Sequence, residues 1–271
     1  MAAGPSALAT SRRGVALGTA FGFPIGILSG FTGVGGGEYR APVLLGLFGD
    51  VRHAIATNLL VGAAVSVANF LFRAGWSLSP DALLLAGLLA TTSVPGGYVG
   101  ALATRQVSSR TLKALLAAIL VATGLRLILV ETQAAGAFVL DAASAILALA
   151  LGFGLGLISG VLGLAAGEYR IPALILLFGI PPVDAGTLSS LAAIPPQATA
   201  FAKHRALGHT SLATTRLGSA MAAASIAGVV IGTALLGRTT QAVVAQVLGG
   251  AMILAAGFIV RDIVRPAAPT A

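Results

Sequence analysis

Five stretches of this chain run for 21 residues or more without one charged side chain: 14–37, 82–104, 142–167, 217–237 and 239–260. About 20 apolar residues of helix cross the hydrocarbon core of a bilayer. Runs of this kind therefore read as membrane-spanning helices. The composition agrees, because 57% of the 271 residues are hydrophobic and 9% are charged, against about 25% charged in an ordinary soluble domain. Sixteen basic and eight acidic side chains cannot cover a soluble surface of this size. A soluble enzyme, a disordered chain and a nucleic-acid binder are excluded, and the expected fold class is all-α: a polytopic helical membrane protein.

The net charge of +8 would point to nucleic acid in a soluble protein. Here the basic residues fall in short loops between apolar runs, where they act as a topology signal. The absence of cysteine leaves no disulfide framework, thiolate metal site or thiol chemistry. His53, His204 and His209 lie in or beside basic loops without a ligand-like cluster and read as loop residues, so neither a metal nor a cofactor is expected. Ser11-Arg12-Arg13 before an apolar run superficially resembles a twin-arginine export signal. The same apolar segment recurs later without the arginines, which favours a retained first helix.

That recurrence organises the chain. Residues 22–42, GFPIGILSGFTGVGGGEYRAP, return at 152–172 as GFGLGLISGVLGLAAGEYRIP, identical at 11 of 21 positions at an offset of 130. Phe48-Gly49 returns as Phe178-Gly179 and Thr57 as Thr187, with weaker pairings of Gly100 with Gly232 and Gly124 with Gly257. A half-length repeat in a membrane chain points to a two-fold architecture with its site at the repeat interface. The expected halves are 1–133 and 134–271. Each reads as five hydrophobic segments, near 14–33, 40–49, 54–72, 82–104 and 112–130, then 142–163, 170–179, 185–202, 212–236 and 240–260. The second segment of each half is too short to span at about 1.5 Å per residue. Segments one and two should form a broken or re-entrant hairpin, its loop at membrane depth and shielded by protein or water.

With the N-terminus inside, Arg12, Arg13, Arg52, Arg105, Arg110, Lys113, Lys203, Arg205, Arg216, Arg261 and Arg265 fall on the cytoplasmic side. Arg73, Arg126 and Arg238 fall outside, and Arg40 and Arg170 belong to the hairpin tips. This bias predicts a multi-pass protein of the cytoplasmic (inner) membrane with both termini cytoplasmic. An odd number of segments per half makes the repeats inverted.

The run Gly33-Val34-Gly35-Gly36-Gly37 fits neither a dinucleotide fingerprint, which needs a preceding strand, nor a phosphate-binding loop, which needs a following Lys-Ser/Thr. Consecutive glycines do permit unusual dihedrals and close approach of backbone amides to a ligand, so Gly35, Gly36 and Gly37 are site candidates. Gly22, Gly26 and Gly30, with Gly152, Gly156 and Gly160, are spaced for close helix crossing instead. In the second copy Ala165-Ala166 replace two glycines and should make a gentler turn.

The duplicated Glu38-Tyr39-Arg40 and Glu168-Tyr169-Arg170 are the sharpest signal. Pro42 and Pro172 follow each set, as expected in the first turn of a helix. Each arginine then lies at a helix N-terminus, where unpaired amides and the dipole favour an anion. Two guanidiniums, two tyrosine hydroxyls and two helix ends would make an anion pocket. The competing reading is a buried ion pair that locks a broken helix. Burial raises a carboxyl pKa and a neighbouring arginine lowers it, so Glu38 and Glu168 are proton carriers or arginine partners at this point. The third segments add Thr57, Asn58, Thr187, Ser189, Ser190 and Gln197, as ligand contacts or as helix–helix hydrogen bonds. Asn69 is a second amide in an apolar helix, and Ser66, Ser93 and Ser225 read as packing residues. Pro195-Pro196 should bend or unwind the second copy alone. Trp76 and Tyr98 read equally as interfacial anchors or core.

The duplicated G-x3-G-x2-G-x-G-G-G-x4-P pattern, here Gly26 to Pro42, resembles the sulfite exporter TauE/SafE family of membrane transporters. The resemblance covers nearly the whole chain and implies transport of a sulfur-containing anion, sulfite or an organosulfonate such as sulfoacetate. The expected function is a secondary transporter working by alternating access, driven by an ion, proton or substrate gradient. The alternative is an anion channel with a paired-arginine constriction. An intramembrane enzyme is disfavoured because no nucleophile–base pair or metal set is present, and no catalytic residue is assigned.

Overall fold

A computed structural model describes residues 7–73, 78–103, 109–129, 138–162 and 167–264. Among the described residues there are eleven helices and no strand. They are α1 (Ala7–Thr10), α2 (Arg12–Thr32), α3 (Gly37–Phe48), α4 (Val51–Arg73), α5 (Pro80–Ala103), α6 (Ser109–Leu129), α7 (Ala142–Leu162), α8 (Gly167–Phe178), α9 (Pro182–Ala206), α10 (Leu212–Leu236) and α11 (Gln241–Val264). Trp76, Arg105, Arg265, the Ala165-Ala166 turn and the side chains of Arg110, Lys113 and Glu168 lie outside the described residues.

Local chemistry sets the boundaries. Ser11 caps α2 by accepting from the Gly14 N–H at 3.0 Å. Gly49 ends α3 in the left-handed region, its N–H bonded to the Leu45 carbonyl. Asp50 then accepts from the Arg52 and His53 amides at 2.8 and 3.0 Å and starts α4. At the matching corner Gly179 is again left-handed, and Pro182 opens α9 where its missing N–H costs nothing. Asp141 starts α7, and the Ser144 hydroxyl and amide that donate to its carboxylate hold it below the usual carboxylate range.

Six helices are long and apolar enough to cross a membrane, namely α2, α4, α5, α7, α10 and α11. Of the other two long helices, α6 has 21 residues, and α9 has 25, or about 37 Å, but is interrupted by polar side chains. The short helices α3 and α8 have 12 residues each. At about 18 Å they cannot cross a core about 30 Å thick, and α3 follows a four-residue break after α2. The expected short segments therefore exist, each starting three residues earlier and ending one residue earlier than expected. Tyr98, 67% exposed, lies on the surface. His53 and His204 sit on helix ends rather than in loops. His53 is buried against Asp50 and stacked on Phe48, and His204 faces His209 with ring nitrogens 3.2 Å apart.

Packing joins helices α2–α6 to helices α7–α11. α2 packs chiefly on α10, and α7, which carries the repeated copy of α2, packs on α5. α4 lies against α9, α6 against α11, α3 against α4, and α8 against α9. The spaced glycines make the closest crossings, as expected. A Cβ on Gly26 would overlap the Ser225 carbonyl, and one on Gly156 would overlap that of Ser93. A Cβ on Gly124 would likewise press on the Gly249 carbonyl, where α6 crosses α11. The same crossings carry matched hydrogen bonds: Ser225 Oγ donates to the Gly22 carbonyl and Ser93 Oγ to the Gly152 carbonyl, both at 3.0 Å. Ser93→Ala and Ser225→Ala are expected to lower stability by similar amounts, about 0.6 kcal/mol each, measurable by thermal unfolding in detergent. A loss confined to one variant would show that the crossings are not energetically equivalent.

Candidate functional site

The first tip is built by two left-handed glycines. Gly33 (φ +80°) ends α2 with its N–H on the Ser29 carbonyl at 2.7 Å, and Gly36 (φ +69°) starts α3. Such dihedrals suit glycine and strain any other residue. The tip is docked on α9 of the second half: Gly33 lies against the backbone of Gly186, and Ser190 Oγ donates to the Gly33 carbonyl at 3.3 Å. Gly167, at the start of α8, approaches the Gly35 amide from the other side. The first tip and the start of α8 thus meet.

Between them lies a small cleft lined by Gly33, Gly35, Ser66, Gly167, Ser189, Ser190, Ala193 and Gln197. It has room for about one water molecule. No charged side chain lines it among the described residues; hydroxyls, an amide and bare backbone do. Gln197 donates from Nε2 to Ser66 Oγ at 3.4 Å, and its Oε1 is buried without a hydrogen-bond partner among the described residues.

The arginines stand one layer behind this lining. Arg40 is fully buried and donates from Nε to Asn58 Oδ1 at 3.2 Å, while Asn58 Nδ2 donates to the Gly37 carbonyl at 3.1 Å. A Cβ on Gly62 would lie 2.5 Å from Gln197 Oε1 and 3.6 Å from Arg40 Nη2, so both groups occupy the space over that bare glycine. Arg170, 2% exposed, donates from Nη1 to the Ser189 carbonyl at 3.1 Å, and Ser189 Oγ donates to the Gly167 carbonyl at 3.4 Å. Asn58 and Ser189 therefore do the same work, each linking its arginine to the first carbonyl of the short helix. They are one residue out of register in the repeat. Leu188, which matches Asn58 at the offset of 130, is fully buried core.

Other sequence candidates are placed elsewhere. Tyr39 turns away from the cleft: its hydroxyl donates to the Ala251 carbonyl on α11 at 2.6 Å and its ring packs edge-on to Phe258. Tyr169 is buried in the apolar core. One position along a helix rotates a side chain by about 100°, which separates each tyrosine from its arginine. Thr57 and Thr187 donate to carbonyls one turn back, His53 at 2.8 Å and Val183 at 3.1 Å, and so serve their own helices. Gly36 faces Ile25 and Arg40, and the Gly37 carbonyl is taken by Asn58, which leaves Gly35 as the cleft-facing member of the three. Glu38 is buried in the first turn of α3, on the favourable end of its dipole. α9 stays helical through Pro195-Pro196, so of the expected bend or unwound turn the unwound turn is absent. Tyr39→Phe is expected to lower stability by about 0.5–1.5 kcal/mol without changing the substrate KM, as read by thermal unfolding and uptake kinetics side by side.

The sequence model of the sulfite exporter TauE/SafE family matches residues 2–127 and 141–270, nearly the whole chain. The chain belongs to the sulfite exporter TauE/SafE family. It is accordingly a multi-pass membrane transport protein for a small anion and not an enzyme. No curated protein and no solved structure matches it.

Two features of this TauE/SafE chain escaped sequence reasoning. Ser66, read as packing, lines the cleft. Arg73, assigned to an outer loop, is the last residue of α4 and is buried at 6% exposure. The overlooked signal was spacing: Asn58, Gly62, Ser66, Asn69 and Arg73 recur every three or four residues and form one polar or small face of α4.

Proposed function

We propose that this protein carries sulfite or a small organosulfonate across the cytoplasmic membrane by alternating access, with the substrate held between the two tips. One observation carries the reading. The cleft takes its wall from both halves: Gly33, Gly35 and Ser66 come from the first, and Gly167, Ser189, Ser190, Ala193 and Gln197 from the second. A site shared between repeats opens to one side or the other as one repeat rocks against its partner. In this reading halves 1–133 and 134–271 are inverted, both termini are cytoplasmic, and the water-sized cleft is the closed-over stage of the cycle. Arg40, Arg170 and the N-terminal ends of α3 and α8 supply the positive field, while the neutral lining offers hydrogen bonds to oxyanion oxygens. Glu38 and Glu168 are its proton carriers or arginine partners.

Counterflow tests this. Proteoliposomes preloaded with unlabelled sulfite should transiently accumulate labelled sulfite, with saturable initial rates. Flux that stays linear in concentration, accompanied by single-channel currents, would instead establish an anion channel. A thermal-shift series with sulfite, sulfate, thiosulfate, sulfoacetate, taurine and formate identifies the substrate, because a ligand of the native state raises its apparent stability.

A further inference from the structure

We propose that the seam between α4 and α9 is the path the anion follows, and that Arg73 gates one end of it as a second anion-binding station. Ser66, in the cleft wall, is seven residues from Arg73 and eight from Asn58, about 10 and 12 Å along the helix. The cleft is therefore flanked on one face of α4 by the Arg40 guanidinium and, in the other direction, by Arg73.

Arg73 bridges the two halves. Its Nη1 donates to the carbonyls of Gly30 and Phe31 at 2.5 and 2.7 Å, and its Nη2 to the Val183 carbonyl at 3.0 Å. Gly30 and Phe31 are in the last turn of α2, immediately before the first tip, and Val183 is in the first turn of α9. One planar guanidinium thus clamps the helix that carries the first tip to the helix that carries Ser190 and Gln197. All three acceptors are neutral carbonyls, and an anionic oxygen is a stronger acceptor for the same donors. Arg73 Nε is buried without a hydrogen-bond partner among the described residues, which leaves one donor not committed to a carbonyl. Binding there takes donors from the carbonyls, loosens α2 from α9 and frees the tip. Asp184, without forming an ion pair with Arg73 among the described residues, is near enough to act on it electrostatically and so opposes a long stay of the anion. This proposal rests on the alternating-access reading.

The chain has no cysteine, so Ser66→Cys places a single thiol in the cleft. Its modification by the membrane-impermeant anion sulfonatoethyl methanethiosulfonate is timed in right-side-out and inside-out vesicles. Adding Arg73→Gln is expected to raise the rate from one face at least about tenfold, the change that follows loss of a charge-assisted hydrogen bond, with the other face unchanged. An unchanged rate, or an equal rise from both faces, overturns the gate. If Arg73→Gln does not fold, Arg73→Lys decides by the same measurement. Its single ammonium cannot span both helices, so a smaller one-sided rise supports the gate and the parental rate overturns it. Labelling reads access and counterflow reads transport, so the two proposals fail separately: one-sided acceleration without counterflow removes the carrier, and counterflow with two-sided acceleration removes the gate.

Discussion

Arg40→Lys is expected to lower kcat/KM for sulfite in proteoliposomes by about 10- to 100-fold while the purified protein keeps its fold. Lysine preserves the charge, so a merely electrostatic role would survive. What it removes is the planar fork. In the native protein Nε is committed to Asn58 Oδ1 and Nη2 lies over Gly62 beside Gln197 Oε1. A single ammonium on a flexible stem cannot meet both groups at once. A hydrogen bond to a charged group is worth about 1.5–3 kcal/mol, which converts to the stated range at about 1.4 kcal/mol per factor of ten. The matching Asn58→Ala should fall in the same direction by less, because it frees the guanidinium without deleting it. Initial-rate kinetics and thermal unfolding on the same preparations check both. Parental kinetics in Arg40→Lys would make the arginine a structural tie and move the anion site elsewhere.

Gly33→Ala is expected to destabilise the protein by about 2–5 kcal/mol and to abolish transport. Two costs combine. A left-handed backbone costs an L-residue about 1–2 kcal/mol, and Gly33 has φ +80°. The new Cβ would also press into the Gly186 backbone, where no side chain can swing aside, and overpacking of this kind costs about 1–3 kcal/mol. Gly35→Ala is the contrast two residues on. Its φ is not positive, and a Cβ there meets no atom within 4 Å, so stability should be unchanged. The methyl would nonetheless occupy the cleft, and sulfite KM should rise. Equal stability losses for the two variants would show that the tip is not docked on α9 as described.

Much of this was legible in the chain because membrane helices announce themselves. The charge-free runs, the repeat at an offset of 130 and the four-residue glycine spacing each express a local requirement: hydrocarbon on the outside, a duplicated unit, bare backbone at a crossing. The same holds for the corners, where Phe48-Gly49-Asp50 carries its own stop and start signals. Sequence reasoning went astray where function was assigned to neighbours in sequence. Glu38, Tyr39 and Arg40 are adjacent, yet consecutive helix positions point about 100° apart. Arg40 therefore turns to α4, while Tyr39 reaches α11. Duplicated threonines looked like a site because they matched, but a hydroxyl in an apolar helix satisfies itself on the carbonyl one turn back.

The sequence by itself determined that this is a helical membrane protein of two related halves, with short broken helices after a glycine-rich turn and buried arginines beside it. These are properties of single segments, set by hydropathy, backbone freedom and capping. Only the tertiary structure decided which polar groups meet. Asn58 and Ser189 became equivalent although out of register, Ser66 joined Gln197 across the α4–α9 seam, and Arg73 left the loop to tie α2 to α9. The physical reason is that a buried donor must find its acceptor wherever packing puts one. In this fold the acceptors of Gln197 and of Arg73 Nη2 lie 131 and 110 residues away in sequence.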